Sequence, residues 1–267
     1  MKNKTRTLSV LSIFTALLLA WPSTAVAQAS KGPREGQAWT MPDLNLEMAY
    51  VRPGTFTMGS VNGADEEKPQ TRVTLTKGYW LGKTEVTKGQ WEALMKSGPL
   101  NFTGADRPME QVSWSDAMEF CRKLTEREHA AGRLPEGYEY TLPTEAQWEY
   151  ACRAGTTEDY AGNPDAMAWH HNNSGDTTHP VGQKQANAWG LYDMHGNVWE
   201  WCLDWYGNYP GGSVRDPTGP ASGVKRVYRG GGFFSSAQRC RSAFRGWNVP
   251  GARSPDLGLR LALSSVP

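Results

Sequence analysis

The run from Gly190 to Trp201 gathers two carboxylates (Asp193, Glu200), an imidazole (His195) and an amide (Asn197) among glycines and aromatics. Simple amphipathic patterning does not call for such a run, so it reads as a rigid, loop-rich site. Asp193 and Glu200, with the backbone carbonyls that a tight turn presents at Gly196 and Val198, make a set of hard oxygen ligands suited to calcium. The same turn without a metal would be held by hydrogen bonds. His170, His171, His179 and His195 raise copper or iron chemistry, since neutral imidazole binds both. Neither His-x-Glu nor His-x-x-x-His spacing occurs, however, and histidines in aromatic loops more often pack and hydrogen-bond. The thiols are Cys121, Cys152, Cys202 and Cys240. They permit three complete pairings, and their positions alone select none. None of the spacings is CxxC, which makes a structural zinc site a poor reading. Cys240 is either a lone reactive thiol or a disulfide partner.

Aromatic side chains give contact area at small entropic cost. Trp199, Trp201, Trp205, Tyr206 and Trp247 therefore either line a peptide groove or fill the core. Arg241 and Arg245 either orient buried carboxylates or meet an anionic ligand. The candidate substrate contacts are Trp199, Arg245, Trp247 and Asn248, with the last two at the rim of a cleft.

The elements that must hold these groups are short. In 267 residues there are 29 glycines, 17 prolines and 12 tryptophans, which points to many turns locked by aromatic packing. Alternation predicts strands at Met48–Val51, Thr55–Gly59, Arg72–Leu75 and Tyr79–Val86, with an acidic exposed loop from Asn62 to Gln70. Thr87 should cap a short helix through Met95. Ser113 to Asp116 should cap a helix over Ala117–Glu128. Thr144 and Gln147 fit a capping box for a helix running to Arg153 and ending at Gly155. Residues 156–220 lose periodicity, and Val224–Tyr228 and Gly258–Leu263 read as closing strands. The class is α+β, with about three helices, short antiparallel strands and much ordered coil.

A net charge of +1 offers no electrostatic case for nucleic acid. Residues 1–27 read as a signal peptide: Lys2, Lys4 and Arg6 precede an apolar run too short to span a bilayer, and Ala25 to Ala27 fits a cleavage site. No other stretch could span a bilayer. Residues 28–45 read as a flexible leader and residues 46–264 as one domain. The expected location is the periplasm or the exterior, where disulfides are permitted.

Five motifs occur in one order: Met58 to Ser60, Leu142 to Tyr150, Gly196 to Trp201, Arg229 to Gly231 and Gly258 to Arg260. Together they resemble the formylglycine-generating enzyme (sulfatase-modifying factor) family over about residues 46–263. The resemblance implies that family's variant of the C-type-lectin-like fold, low in regular secondary structure. It also implies structural calcium at Asp193, Gly196, Val198 and Glu200, and an exported protein or peptide as partner. The family's characterised activity is copper(I)- and oxygen-dependent oxidation of a protein cysteine to formylglycine, which needs two neighbouring thiolates. Here the position expected for the first cysteine holds Ser235 or Ser236, and only Cys240 remains as a candidate catalytic thiol. The resemblance further implies a Cys152–Cys240 disulfide. Three functional expectations follow: action on or binding of a periplasmic protein or peptide, a calcium-stabilised binding module without catalysis, or a maturation oxidase for a siderophore-type small molecule.

Overall fold

The computed structural model describes residues 1, 32–98 and 101–265; the expected signal peptide lies outside the described residues. The hydroxyl-bearing caps act as the local sequence dictates. Thr87 caps α1 (Lys88–Met95), Ser113 caps α2 (Trp114–Ala130) and Thr144 caps α3 (Glu145–Arg153). In each, the cap hydroxyl accepts from the third helical N–H while the side chain at that position reaches back to the cap N–H, satisfying two orphan donors at once. A one-turn helix, α4 (Pro164–Met167), is capped by Asn163 and opens on proline, whose missing N–H costs nothing at that position. Helix α3 ends with Ala154 in the left-handed region, one residue before Gly155.

Four small sheets surround these helices. A five-stranded antiparallel sheet runs in the order Trp39–Met41, Leu46–Val51, Tyr79–Gly82, Ala262–Ser265 and Tyr138–Thr141. A four-stranded sheet runs Arg245–Asn248, Arg226–Arg229, Trp199–Trp205 and Leu257–Gly258. A third sheet joins Ser213–Arg215, Thr71–Leu75 and Gly54–Met58, and a parallel pair joins Ala168–Trp169 to His195–Gly196. This is an α+β fold with little regular secondary structure.

Three expectations need correction. The leader stops being free before residue 45, because Trp39–Met41 pairs with Leu46–Met48 and buries Met41 and Leu44. The acidic loop contains a 3-10 turn at Asp65–Glu67 whose last carboxylate is buried. The strand expected over Tyr79–Val86 ends at Gly82, so Glu85 leaves the sheet and turns inward, 1 % exposed.

Two apolar clusters form the core. One packs Trp80, Trp91, Phe120, Leu124, Trp199 and Trp201 between α2 and the sheets; the other packs Tyr79, Trp148, Cys152, Met194 and Cys202 around α3.

Candidate functional site

Helix α3 is unusual in what it buries: Glu145, Glu149 and Arg153 lie inside with Trp148 and Cys152. Charges are buried only when paired, and the partners come from the four-stranded sheet. Arg229, fully buried, donates to Glu145 Oε1 at 2.9 Å and to the Ser242 carbonyl at 2.7 Å, and also pairs with Glu149. Arg245 grips Glu145 with Nε and Nη2 at 2.6 and 2.7 Å, while its Nη1 donates to the carbonyls of Glu66 and Gly207. Arg245 is thus spent on scaffold bonds and is not open to a substrate. Trp199, also expected at the substrate, is a core residue packed on Tyr228 and Phe244.

The 190–201 run wraps beside this network. Asp193, Gly196 and Asn197 all sit at positive φ, and all are buried. Asn197 links two other segments to the turn: its Oδ1 accepts from His179 N–H at 2.9 Å and its Nδ2 donates to Glu85 Oε1 at 3.1 Å. His195 accepts from Ala161 N–H at Nε2, which leaves Nδ1–H to donate to the Cys240 carbonyl at 2.7 Å. Burial drives its pKa down to about 4, so the ring is neutral near pH 7 and ties three segments together. His170 faces Asp165, His171 faces Asp176, and His179 stacks on Trp169. Among the described residues no three or more His, Cys, Asp or Glu converge as a metal-ligand group.

The structure divides the four expected calcium residues. Glu200 is fully committed. Its Oε1 accepts from Arg260 Nε and Nη2 at 3.0 and 2.7 Å, and its Oε2 from Trp148 Nε1 and Arg260 Nε at 2.6 and 2.9 Å. A carboxylate offers about four lone-pair sites, and three N–H groups, one of them shared between both oxygens, take up most of them. Asp193 Oδ2 accepts from Gly182 N–H at 2.6 Å, while Asp193 Oδ1 is buried without a partner. Gly196 and Val198 lie buried in the same turn. An orphaned buried carboxylate oxygen beside such a turn fits a hard cation. Sequence reasoning missed Glu85, whose Oε2 is also buried and unpartnered. Burial, then repulsion from Asp193, raises Glu85 well above the usual carboxylate range. Burial likewise lifts Asp193 to about 6.

The thiols are sealed. Cys240 closes a 3-10 turn (Ala237–Cys240), and neither it nor Cys152 has exposed surface. Burial pushes both up to about 12, so both are neutral and poor nucleophiles. The expected Cys152–Cys240 bridge is not formed: all four cysteines are free. Cys152 Sγ instead lies 3.6 Å from Ser242 Oγ and 3.7 Å from His195 Nε2. At the other expected thiol position, Ser235 is buried with Oγ accepting from Gly232 N–H at 3.0 Å, and Ser236 is exposed. A copper(I)-thiolate pair open to a substrate does not fit these residues. A serine hydroxyl is a hard ligand, and the remaining thiols lie beneath the surface.

The rim is real surface. Trp247 is half-buried and stacks on Tyr206 with ring centroids 4.5 Å apart, Lys225 Nζ lies 5.4 Å from its ring, and Asn248 is exposed. Next to it, Arg226 is sandwiched between Trp114 and Trp205 at 3.8 and 3.4 Å.

A family model described as the sulfatase-modifying factor enzyme 1-like domain matches residues 37–265. The chain belongs to this family. It is 31 % identical to the chaperone protein LppX of Paenibacillus barcinonensis, over 90 % of this chain and 96 % of that one. It is 36 % identical to the formylglycine-generating enzyme of Streptomyces coelicolor over 59 % of this chain, a match that spans only 52 % of the enzyme's length. Among solved structures, Treponema denticola variable protein 1 superposes with a TM-score of 0.77 at 32 % identity, over 85 % of this chain and 98 % of that one. PvdO from Pseudomonas aeruginosa superposes with a TM-score of 0.75 at 25 % identity, over 87 % of this chain and 100 % of that one.

Proposed function

We propose that this member of the sulfatase-modifying factor family is an exported, calcium-stabilised module that binds a protein or peptide partner at its aromatic rim, without oxidising a cysteine. The observation that carries this reading is the sealing of Cys240. A substrate thiol must reach a catalytic sulfur, and this one is 0 % exposed with its pKa raised to about 12. The rim of Trp247, Tyr206 and Asn248 offers what the thiol site does not, a partly exposed aromatic pair beside cationic Lys225. A relative of nearly equal length that is named a chaperone protein accords with a binding role. Asp193, with the carbonyls of Gly196 and Val198, would hold calcium, which would brace the turn and take no part in chemistry. Cys152 and Cys240 border one imidazole, and an oxidising compartment would permit them to pair.

The test has two arms. Reduced protein supplied with copper(I), oxygen and a Cys-x-Pro-x-Arg peptide should form no formylglycine by mass spectrometry and take up no oxygen above the copper blank. A panel of fluorescent unfolded peptides should include saturable binders whose anisotropy change is lost in Trp247→Ala while thermal unfolding is unchanged. Turnover in the first arm, or binding indifferent to Trp247 in the second, would overturn the reading.

A further inference from the structure

Three carboxylates, Glu85, Asp193 and Glu200, share one buried region with a single guanidinium, Arg260. Counted as ionised groups, three negative charges against one positive leave two in excess. Arg260 cannot serve all three. Its Nε and Nη2 hold Glu200, Nη2 also donates to the Tyr192 carbonyl, and Nη1 donates to the Gly82 carbonyl at 2.8 Å. The two acids left over each keep one oxygen bonded, Glu85 Oε1 to Asn197 Nδ2 and Asp193 Oδ2 to Gly182 N–H. Each has its other oxygen, Glu85 Oε2 and Asp193 Oδ1, buried with no partner. As ionised groups these neighbouring acids offer a cation two buried acceptors, and without one a proton shared between them must serve, because such atoms are seldom left unsatisfied.

We propose that Glu85 is a cation ligand of this protein, sharing a hard divalent ion of the calcium class with Asp193, in the place that the 190–201 run alone would give to Glu200. This rests on the calcium reading above and assigns its second carboxylate to a different segment of the chain. Glu85 follows the strand Tyr79–Gly82, so the ion ties the end of the five-stranded sheet to the 193–198 turn. Glu200 remains the counterion of Arg260. An approach lies next to the pair. A surface cleft of about 490 Å³ is lined by Thr84 and Tyr192, the chain neighbours of the two ligands, and by Gly182, which bonds Asp193. The carboxylates along that cleft are Glu47 and Asp106, and its one cation, Lys83, is paired with Glu47 at 2.6 Å.

The experiment uses the full chain stripped with a chelator and titrated with calcium chloride, read by calorimetry and by thermal unfolding. Calcium at about a hundred times its dissociation constant should raise the wild-type midpoint by roughly 5–10 °C. Glu85→Gln keeps the amide oxygen that Asn197 needs and removes a charge. It should fold, unfold in chelator no earlier than wild type, and lose the calcium shift and the binding heat. Glu200→Gln should be less stable yet keep the calcium shift. If calcium shifts Glu85→Gln as much as wild type, the assignment of Glu85 fails while the calcium reading stands. If calcium neither binds nor shifts the wild type, both fail.

Discussion

Asp204 shows how one buried acid makes stability depend on pH. It lies 4 % exposed at the start of α3, where Oδ2 accepts from Glu145 N–H at 2.8 Å. Burial and the Glu145 charge raise its pKa from 3.8 to about 7, with Arg245 pulling the other way. A raised carboxyl pKa means that the folded state holds its proton where the unfolded chain has already released it. Its contribution is therefore complete below about pH 4 and is lost as pH rises to about 7. Three pKa units correspond to about 4 kcal/mol as an upper bound, and relaxation of the site will reduce that. Asp204→Asn should be more stable than wild type at pH 8, by about 1–2 kcal/mol, and equal to it at pH 4; urea unfolding at both values checks this. The sequence gives no sign of Asp204. Arg229 and Glu149, by contrast, stand inside motifs that signalled the family, but only the fold reveals that they neutralise each other. Glu85 and Asp193 lie far apart in the chain, so no local pattern links them.

At the scale of elements, the helix starts were legible because a cap is a local device: a hydroxyl at Thr87, Ser113 or Thr144 meets an N–H three residues later. Thr144→Ala should cost about 1 kcal/mol. The loss should appear throughout the site, because α3 carries the acids that hold Arg229 and Arg245. Urea denaturation should report the cost, and hydrogen exchange should report faster opening of Arg226–Arg229 together with α3. Strands were harder to read. Trp199–Trp205 is buried along nearly its whole length, so it has none of the alternation that marks a half-exposed strand. Arg245–Asn248 is ordered by antiparallel pairing with Arg226–Arg229, a partner that only the fold supplies. Gly258–Leu263 read as one closing strand, but the structure holds two, Leu257–Gly258 and Ala262–Ser265, in different sheets, with Arg260 between them turned inward to Glu200.

Across the whole molecule, the family was legible from five ordered motifs, while the state of its chemistry depended on burial that no motif reports. All four thiols are buried, so a small alkylating reagent should modify the native reduced protein slowly at every cysteine. Full modification should require denaturant, and a Cys152–Cys240 bridge formed on export would leave two of the four unlabelled without reductant. Mass spectrometry before and after unfolding counts them. The five-stranded sheet has a temporal implication. Its fourth strand, Ala262–Ser265, is inserted between Tyr79–Gly82 and Tyr138–Thr141. A growing polypeptide that has not yet reached Ala262 therefore holds two incomplete half-sheets with open edges. Such edges are sticky, and pairings this distant in sequence close slowly. The sheet can close only once Ala262–Ser265 is available, so the incomplete chain is most vulnerable to aggregation and proteolysis until that strand arrives.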